Sequence, residues 1–445
     1  MARNSMIPAV ARAAMPALAG VIALGFYLLT ISPSIGMLHD NVDSAELVVV
    51  ASRLGIAHPP GSAIWMPLGW AALRALSFIP EPALRTNLLS ASMMAGAVAA
   101  LAVAAGRWRP ETPPWIGALA GLLGGLAPLV WAQAIVTEVL ALQALLSALA
   151  LVLVVDATAG RRWMAFALVL GLLVWNHPTG LALAAPLAGA ALVRSRPGRG
   201  AWPRVIAAFA APGIYTVAYL LLRADAPIAW GDTGTPAGAW AHLSGATYQH
   251  VTDLSIENLR SGLPSSLRAS LAQVPPLLWP LMPAGALLVA RARPLLAGAL
   301  GVTAVLLVVF VTAYRATGHE DYLATVVLAE ALLAAWGVEA CWDWLQPRVP
   351  DGSTRLALAI GAVGLVTVWG AYAGTRVTLR ADTRLLDAAR ATLAAAPPDA
   401  TLETNADTET FPLWYAQAIL GDRPDVTIRD VRGVAPVLRG GVQVR

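Results

Sequence analysis

Asp43 and Glu46 stand three positions apart in Asp43-Ser-Ala-Glu46, so a helix through them brings both carboxylates to one face. Two carboxylates facing water can take a proton from a hydroxyl or hold a cation. The same spacing also suits a plain helix start, with Asp43 as the cap and Glu46 completing a box-like pattern. His58 follows in Gly55-Ile-Ala-His58-Pro-Pro-Gly61. Glu138 closes Trp131-Ala-Gln-Ala-Ile-Val-Thr137-Glu138, and Asn176-His177-Pro178-Thr179 interrupts an apolar run. Broken helix ends at membrane depth are tolerated where they line a cavity, which gives Asn176 and His177 a binding role beside the plainer one of closing a helix. Arg223 precedes Trp230-Gly-Asp232, and Arg315 precedes His319-Glu-Asp321-Tyr322. Arginines that end apolar runs either snorkel to lipid head groups or clamp an anion with a forked guanidinium.

The elements that must position these groups are membrane helices. Of 445 residues 58% are apolar and only 13% charged, against about 45–50% and 25% in soluble domains. That excludes an ordinary soluble enzyme, a disordered chain and a coiled coil. A single cysteine, Cys341, excludes a disulfide framework and any multi-cysteine metal site. All 30 basic residues are arginine against 26 acidic residues. They fall between apolar runs, so they set topology and do not signal nucleic acid. Apolar runs at 14–32, 87–106, 114–130, 139–156, 163–177, 181–193, 205–222, 276–290, 295–314, 322–340 and 356–373 predict about eleven transmembrane helices. The stretch 62–79 is interrupted by Pro67 and Arg74 and reads as an interfacial or re-entrant helix.

With a cytoplasmic N-terminus, every short inner segment is basic: Arg3 and Arg12, Arg107 and Arg109, Arg161 and Arg162, Arg194 to Arg204, Arg291 and Arg293, Arg348 and Arg355. Counting 62–79 as a span would put the next two pairs outside. The first run lacks a small-residue cleavage site before His39-Asp40 and reads as an uncleaved signal anchor. Carboxylates, His58, His177, Arg223 and Arg315 then all emerge on the extracytoplasmic side, which predicts a site opening there with acid/base groups and an anion clamp. The absence of a Walker loop and a dinucleotide fingerprint favours a membrane-borne phosphate donor over a soluble nucleotide. The fold class is therefore an all-α polytopic membrane domain over 1–373, with a small extracytoplasmic α/β region over 374–445. In that region the pattern reads helix 384–395, strand 400–404, helix 410–420 and strand 426–431, and it is expected to pack over the cavity mouth. The rival reading is a transporter or lipid-binding protein without catalysis. Against it, polar groups gather at one face and no second half repeats the first.

The chain also resembles the membrane proteins long known as domain of unknown function 2723, grouped with transmembrane protein O-mannosyltransferases of the GT-C fold. The resemblance rests on Asp43-Ser-Ala-Glu46, where that family usually has Gly at position 45, and on Gly55-Ile-Ala-His-Pro-Pro-Gly61 and Arg85-Thr-Asn87-Leu-Leu-Ser90. It continues through Trp131-Ala-Gln-Ala to Glu138-Val, followed by Leu140 where the family has Tyr, and through Asn176-His-Pro-Thr179 and Arg223 with Trp230-Gly-Asp232. In the tail it covers Asp407-Thr-Glu-Thr-Phe-Pro-Leu-Trp-Tyr415 and Arg423-Pro-Asp-Val426. It implies a glycosyltransferase in the bacterial inner membrane that uses a polyprenyl-phosphate sugar, with mannose the expected sugar. The acceptor would be a protein hydroxyl or, in the nearest alternative, a lipid or cell-wall glycan. Asp43 would be the base that accepts the acceptor's proton, as GT-C relatives assign a loop carboxylate, and Glu46 would orient the acceptor or Asp43. Arg223 and Arg315 would hold the lipid phosphate, His58 and His177 would donate hydrogen bonds, Glu138 would bind a sugar hydroxyl, and Asn176 would belong to the same donor site. No cofactor is required, although a divalent cation near Asp43 and Glu46 is compatible with the spacing.

Overall fold

The computed structural model describes residues 9–444 apart from 40, 158–159, 317 and 350, so Arg3 and Asp40 fall outside the described residues. The chain begins with α1 (Ala9–Thr30), then two short helices, α2 (Asp43–Ser52) and α3 (Met66–Ala75), before the long α4 (Pro82–Trp108). α3 is 10 residues long, about 15 Å at 1.5 Å per residue, half of a bilayer core. The interfacial reading of 62–79 agrees with that length. Next come α5 (Pro114–Gly125), α6 (Pro128–Ile135), α7 (Val139–Asp156), α8 (Gly160–Asn176), α9 (Leu181–Arg194) and α10 (Trp202–Leu222).

A loop segment with α11 (Pro236–Leu243) leads to α12 (Ile256–Leu271), α13 (Met282–Ala292), α14 (Pro294–Ala313), α15 (Ala324–Leu345) and α16 (Gly352–Val377). All eleven apolar runs are helical. Among the described residues seven helices are long and apolar enough to cross a membrane, or up to nine if each bent pair counts as one span. The bends are 72° between α5 and α6 and 99° between α12 and the helical stretch Pro276–Ala292. Pro128 and Pro275–Pro276 sit at these breaks, where the missing amide and the ring disrupt the helical ladder. α8 and α9 have 17 and 14 residues, short of the roughly 20 that a span needs. Composition reports the solvent of a segment but not the direction of its axis, so the bends at Pro128 and Pro275–Pro276 appear only in the structure.

α4 is the centre of the bundle and packs on α1, α5 and α7. Its inward face is built of small residues, among them Ala91, Ala97, Ala104 and Ala105, which lets backbones approach where lipid gives no hydrophobic drive. A Cβ on Gly121 of α5 would lie 2.5 Å from the Val98 carbonyl oxygen, so that crossing requires glycine.

The tail comprises α17 (Arg384–Ala395), β1 (Thr401–Thr404), α18 (Asp407–Ala418), β2 (Thr427–Asp430), β3 (Leu438–Arg439) and β4 (Val442–Gln443), in a sheet of order β1-β2-β3-β4. β1 and β2 are parallel, in register from Thr401 with Thr427 to Thr404 with Asp430, and α18 makes the crossover. The β3–β4 hairpin was not anticipated, although its signal is present. Gly440 and Gly441 both have positive φ (59° and 74°), the requirement of a two-residue primed turn. This region is not a loose appendage. Phe411, Trp414 and Tyr415 are buried and α18 packs on α2. The Tyr415 hydroxyl donates to Glu81 and accepts from the Ala83 amide at 3.2 Å.

Candidate active site

α2 starts at Val42, whose side chain makes no cap, and the Asp43 amide donates instead to Asn41 Oδ1 at 2.8 Å. The capping role open to Asp43 and Glu46 is therefore not used, and both carboxylates are free for other work. They do not share a solvent-facing surface. Glu46 is fully buried; its Oε1 accepts the His58 backbone amide at 2.8 Å and its Oε2 lies 2.5 Å from His58 Nδ1. Because both its oxygens are turned onto His58, Glu46 does not reach the cavity to orient an acceptor; of the two roles expected for it, only the one toward Asp43, through His58, is compatible with this arrangement. Asp43 faces the cavity, with Oδ2 3.7 Å from His58 Nε2. The order is thus Glu46, His58, Asp43, from the interior outward. Ser44 completes the turn by donating to the Gly36 carbonyl at 2.7 Å.

His58 needs a rigid loop to stay between the two acids. Ile56 pairs with the 228–230 segment through its amide to the Ile228 oxygen and through the Trp230 amide to its own oxygen, each 3.1 Å. His242 Nε2 lies 3.0 Å from the Ala57 oxygen, and Gly61 turns the chain at φ 92°, where a Cβ would meet that same imidazole at 3.0 Å. Arg223 belongs to this framework. Its Nε donates to the Leu54 oxygen at 2.7 Å and its Nη2 to the Arg53 oxygen at 2.9 Å, at the end of α2. Arg315 is largely exposed and stands 3.7 Å from Asp253. Neither arginine lines the cavity. The expected guanidinium clamp does not form, because one fork is committed to backbone carbonyls and the other lies beside an exposed loop carboxylate.

The remaining cavity wall comes from helix breaks. Between α6 and α7 the chain is extended, and buried Thr137 and Asn87 bond to each other at 2.7 Å while Asn87 Nδ2 holds the Ser32 and Ser34 oxygens at 3.0 Å. This presents Glu138, whose Oε1 accepts from Asn41 Nδ2 at 3.2 Å while its Oε2 caps α7 at Leu140. Asn176 is fully buried with Nδ2 on the Val139 oxygen at 3.2 Å, so it ties α8 to α7 and is absent from the lining. His177 does line the cavity and stacks on Tyr322 with ring centroids 4.9 Å apart. Its Nδ1 faces Thr179 Oγ1 at 2.8 Å and accepts the Thr179 amide at 3.4 Å. An imidazole nitrogen that accepts an N–H carries no proton, so the proton is on Nε2.

The lining also brings in polar residues that were not among the expected site residues, notably Asn41, Asp321, Tyr322 and Asp407. Asp321 is buried against His39 Nδ1 at 2.7 Å. Asp407 arrives from the tail, at the first turn of α18, held by Arg432 Nη2 at 2.5 Å. Asp321 was visible as a carboxylate following an apolar run, whereas Asp407 carried no positional signal beyond its motif.

Among the described residues four carboxylates, Asp43, Glu138, Asp321 and Asp407, and two histidines surround the polar cavity, and no arginine is in its lining. Burial and the neighbouring acids raise the Asp43 carboxyl to about 6, although His58 pulls the other way. Burial alone would lower His58, but the charges of Glu46 and Asp43 beside it drive it up to about 10. His177, whose Nδ1 accepts the Thr179 amide, is neutral. The ligand atoms of Asp43, Glu46 and His58 lie within 4.8 Å of one another. A divalent cation does not fit them as arranged, since Glu46 and His58 Nδ1 are spent on each other. A second cavity of about 620 Å³ adjoins the polar one and shares Pro60, His177 and Tyr322 with it. Its walls are mainly apolar or aromatic, including Leu181, Leu307, Phe310, Tyr248 and Tyr314.

Residues 43–198 match the family described as Protein O-mannosyl-transferase TMEM260 N-terminal domain, and residues 385–432 match TMEM260-associated domain 2. No curated protein matches the chain. Among solved structures, ArnT from Cupriavidus metallidurans in the apo state aligns with a TM-score of 0.55 and 17% identity, covering 89% of this chain and 83% of ArnT. The same protein bound to undecaprenyl phosphate gives 0.54 and 16%, covering 90% and 84%. The Archaeoglobus fulgidus oligosaccharyltransferase tethered to an acceptor peptide gives 0.50 and 13%, covering 88% of this chain and 58% of that one. At these identities the likeness is one of fold.

Proposed function

We propose that this chain, an O-mannosyltransferase-like membrane glycosyltransferase of GT-C fold, transfers mannose from a polyprenyl phosphate to a protein hydroxyl on the extracytoplasmic face. The observation that carries the reading is the junction of the two cavities. A polar chamber that holds the Asp43 carboxylate shares Pro60, His177 and Tyr322 with a larger, mainly apolar groove. A sugar fits the first, an isoprenoid fits the second, and the phosphate falls where they meet. ArnT, with the same fold, binds undecaprenyl phosphate. The arginine distribution supports the sidedness, and the apolar helices place the site in an integral membrane protein.

Asp43 is the base. Its elevated pKa sits near the working pH, where a general base combines the correct protonation state with useful proton affinity. The acceptor oxygen attacks the anomeric carbon from the face opposite the phosphate and gives its proton to Asp43. The bond from that carbon to the phosphate oxygen breaks, and the electron pair leaves with the lipid phosphate. His58, kept charged by Glu46, offsets negative charge in a chamber otherwise rich in acids. His177 directs its Nε2 proton toward the phosphate, and Glu138 accepts from a sugar hydroxyl. This chemistry uses no metal ion.

The test is release of lipid phosphate from polyprenyl-phosphate mannose by the purified protein, with a hydroxyl-rich peptide as acceptor. Wild type should release it, and Asp43→Asn should lose about 10²–10⁴ of the rate. Donor binding without release would overturn the choice of sugar or acceptor, and no donor binding at all would overturn the transfer reading and favour transport.

A further inference from the structure

The sheet of the tail has two edges, and the fold treats them differently. β4 is docked: the Gln443 amide donates to the Pro227 oxygen at 2.8 Å, and Gln443 Oε1 accepts the Ala229 amide at 3.1 Å. At the opposite edge β1 pairs only with β2 among the described residues. The Ala400 and Thr404 oxygens accept from the Thr427 and Val431 amides of the β2 side, each at 2.8 Å. Alternation along a strand then turns the amides and carbonyls of Thr401 and Glu403 to the open side. Natural edges of this kind are blunted by proline, charge, a bulge or a covering element; Thr401–Thr404 is a four-residue strand without proline whose one charged residue is Glu403.

Beside this edge lies a groove of about 350 Å³, floored by Ala388 and Thr392 of α17, Leu402 of β1 and Leu413 of α18. Its far wall is Thr408 and Glu409. Their neighbour Asp407 lines the polar cavity, so a single helical turn separates the groove from the chemistry. Only Asn405 and Ala406 stand between the end of β1 and Asp407, about 10 Å of extended chain at most. Glu403 and Glu409 stand on the rim, Glu403 with Arg429 at 3.9 Å and Glu409 accepting the Asn405 amide at 3.0 Å.

We propose that the open edge of β1 and this groove are the docking surface for the acceptor, an extended polypeptide that joins the sheet as an added strand. This rests on the glycosyltransferase reading of the cavity. The paired segment of the acceptor lies against Thr401 and Glu403, a side chain fills the groove, and a Ser or Thr a few residues further on reaches Asp43. A basic residue in the paired segment meets Glu409, which has no ion-pair partner among the described residues. Main-chain pairing supplies affinity with little demand on sequence, while the groove selects one side chain.

The experiment uses the full chain in lipid nanodiscs and a fluorescent peptide alternating Thr with Val and Lys. Two versions of the peptide carry N-methyl groups on alternate amides, one in each register. One register should bind about tenfold more weakly than the parent and the other should bind unchanged. Glu403→Pro removes an amide that faces only outward, which an edge strand tolerates, and should weaken the parent peptide by about tenfold. Donor hydrolysis without acceptor should be unaffected. Ala388→Trp, which fills the groove on an exposed helix face, should act the same way and stands in if the proline variant does not fold. Equal binding of both methylated peptides, or unchanged binding by a folded variant, overturns the docking surface. Register-sensitive binding without transfer from the mannose donor upholds the surface and overturns the transfer reading. Transfer with no register sensitivity does the reverse.

Discussion

Glu46→Gln separates the charge of the buried carboxylate from its shape. The amide oxygen still accepts the His58 backbone N–H, and the imidazole stays in place, but the counter-ion is gone. Glu46 is the largest of the influences that hold His58 charged, ahead of Asp43. An opposite charge at contact distance is worth about 1–3 pKa units, so a loss of about two units is the central expectation. Activity requires Asp43 ionised and His58 protonated. In the wild type the rate therefore falls as pH drops through about 6 and again as it rises through about 10. In the variant the alkaline limb should move to about pH 8, the value for wild-type His58 less about two units. At pH 9 that leaves about a tenth of the imidazole charged, a roughly tenfold loss, whereas near pH 6.5 the loss should be under about twofold. The assay is lipid phosphate release in nanodiscs across pH 5.5–10.5, normalised to donor occupancy. An alkaline limb superimposable on that of the wild type would refute the claim that Glu46 keeps His58 charged. A uniform loss at every pH would reduce Glu46 to a purely structural residue.

Arg223→Ala removes two bonds from the loop that carries His58 and should cost about 1 kcal/mol, lowering melting temperature and turnover together. Arg315→Ala should change neither, since that side chain is exposed and apart from the cavity; selective loss of donor binding in Arg315→Ala would restore the clamp. Chelation with EDTA should leave turnover unchanged because Glu46 and His58 occupy each other, and loss of activity restored by one divalent ion would show that the pair opens. For sidedness, exposed Cys341 should resist an impermeant thiol reagent in intact cells, and a cysteine placed at exposed Ser244 should react. The reverse labelling would invert the topology.

Much of the architecture is legible without coordinates because burial in lipid is written in composition. Eleven apolar runs all become helix, and in the tail the predicted helix 384–395 matches α17 residue for residue. The polar residues Asp43, His58, Glu138 and His177 stand out for the same reason, since a titratable group in so apolar a chain needs a purpose. All four line one cavity.

Direction and partnership are a different kind of information. Spacing places Asp43 and Glu46 on adjacent positions of α2, yet the packing of the 55–61 loop decides that Glu46 turns inward to His58. An arginine at a helix end can hold a phosphate or a carbonyl with the same fork, and only the nearby oxygens of Leu54 and Arg53 settle it for Arg223. Asn176 reads as a site residue until Val139 is found beside it. Asp407 lies more than 300 positions from Asp43 in the chain, and the docking of α18 on α2 makes them neighbours. Which segments leave water and which polar groups must find partners follows from residue types and their order alone, because transfer free energy belongs to each residue. Which partner each group found was decided by the tertiary structure, because a hydrogen bond depends on distance and angle between segments that the chain order does not relate.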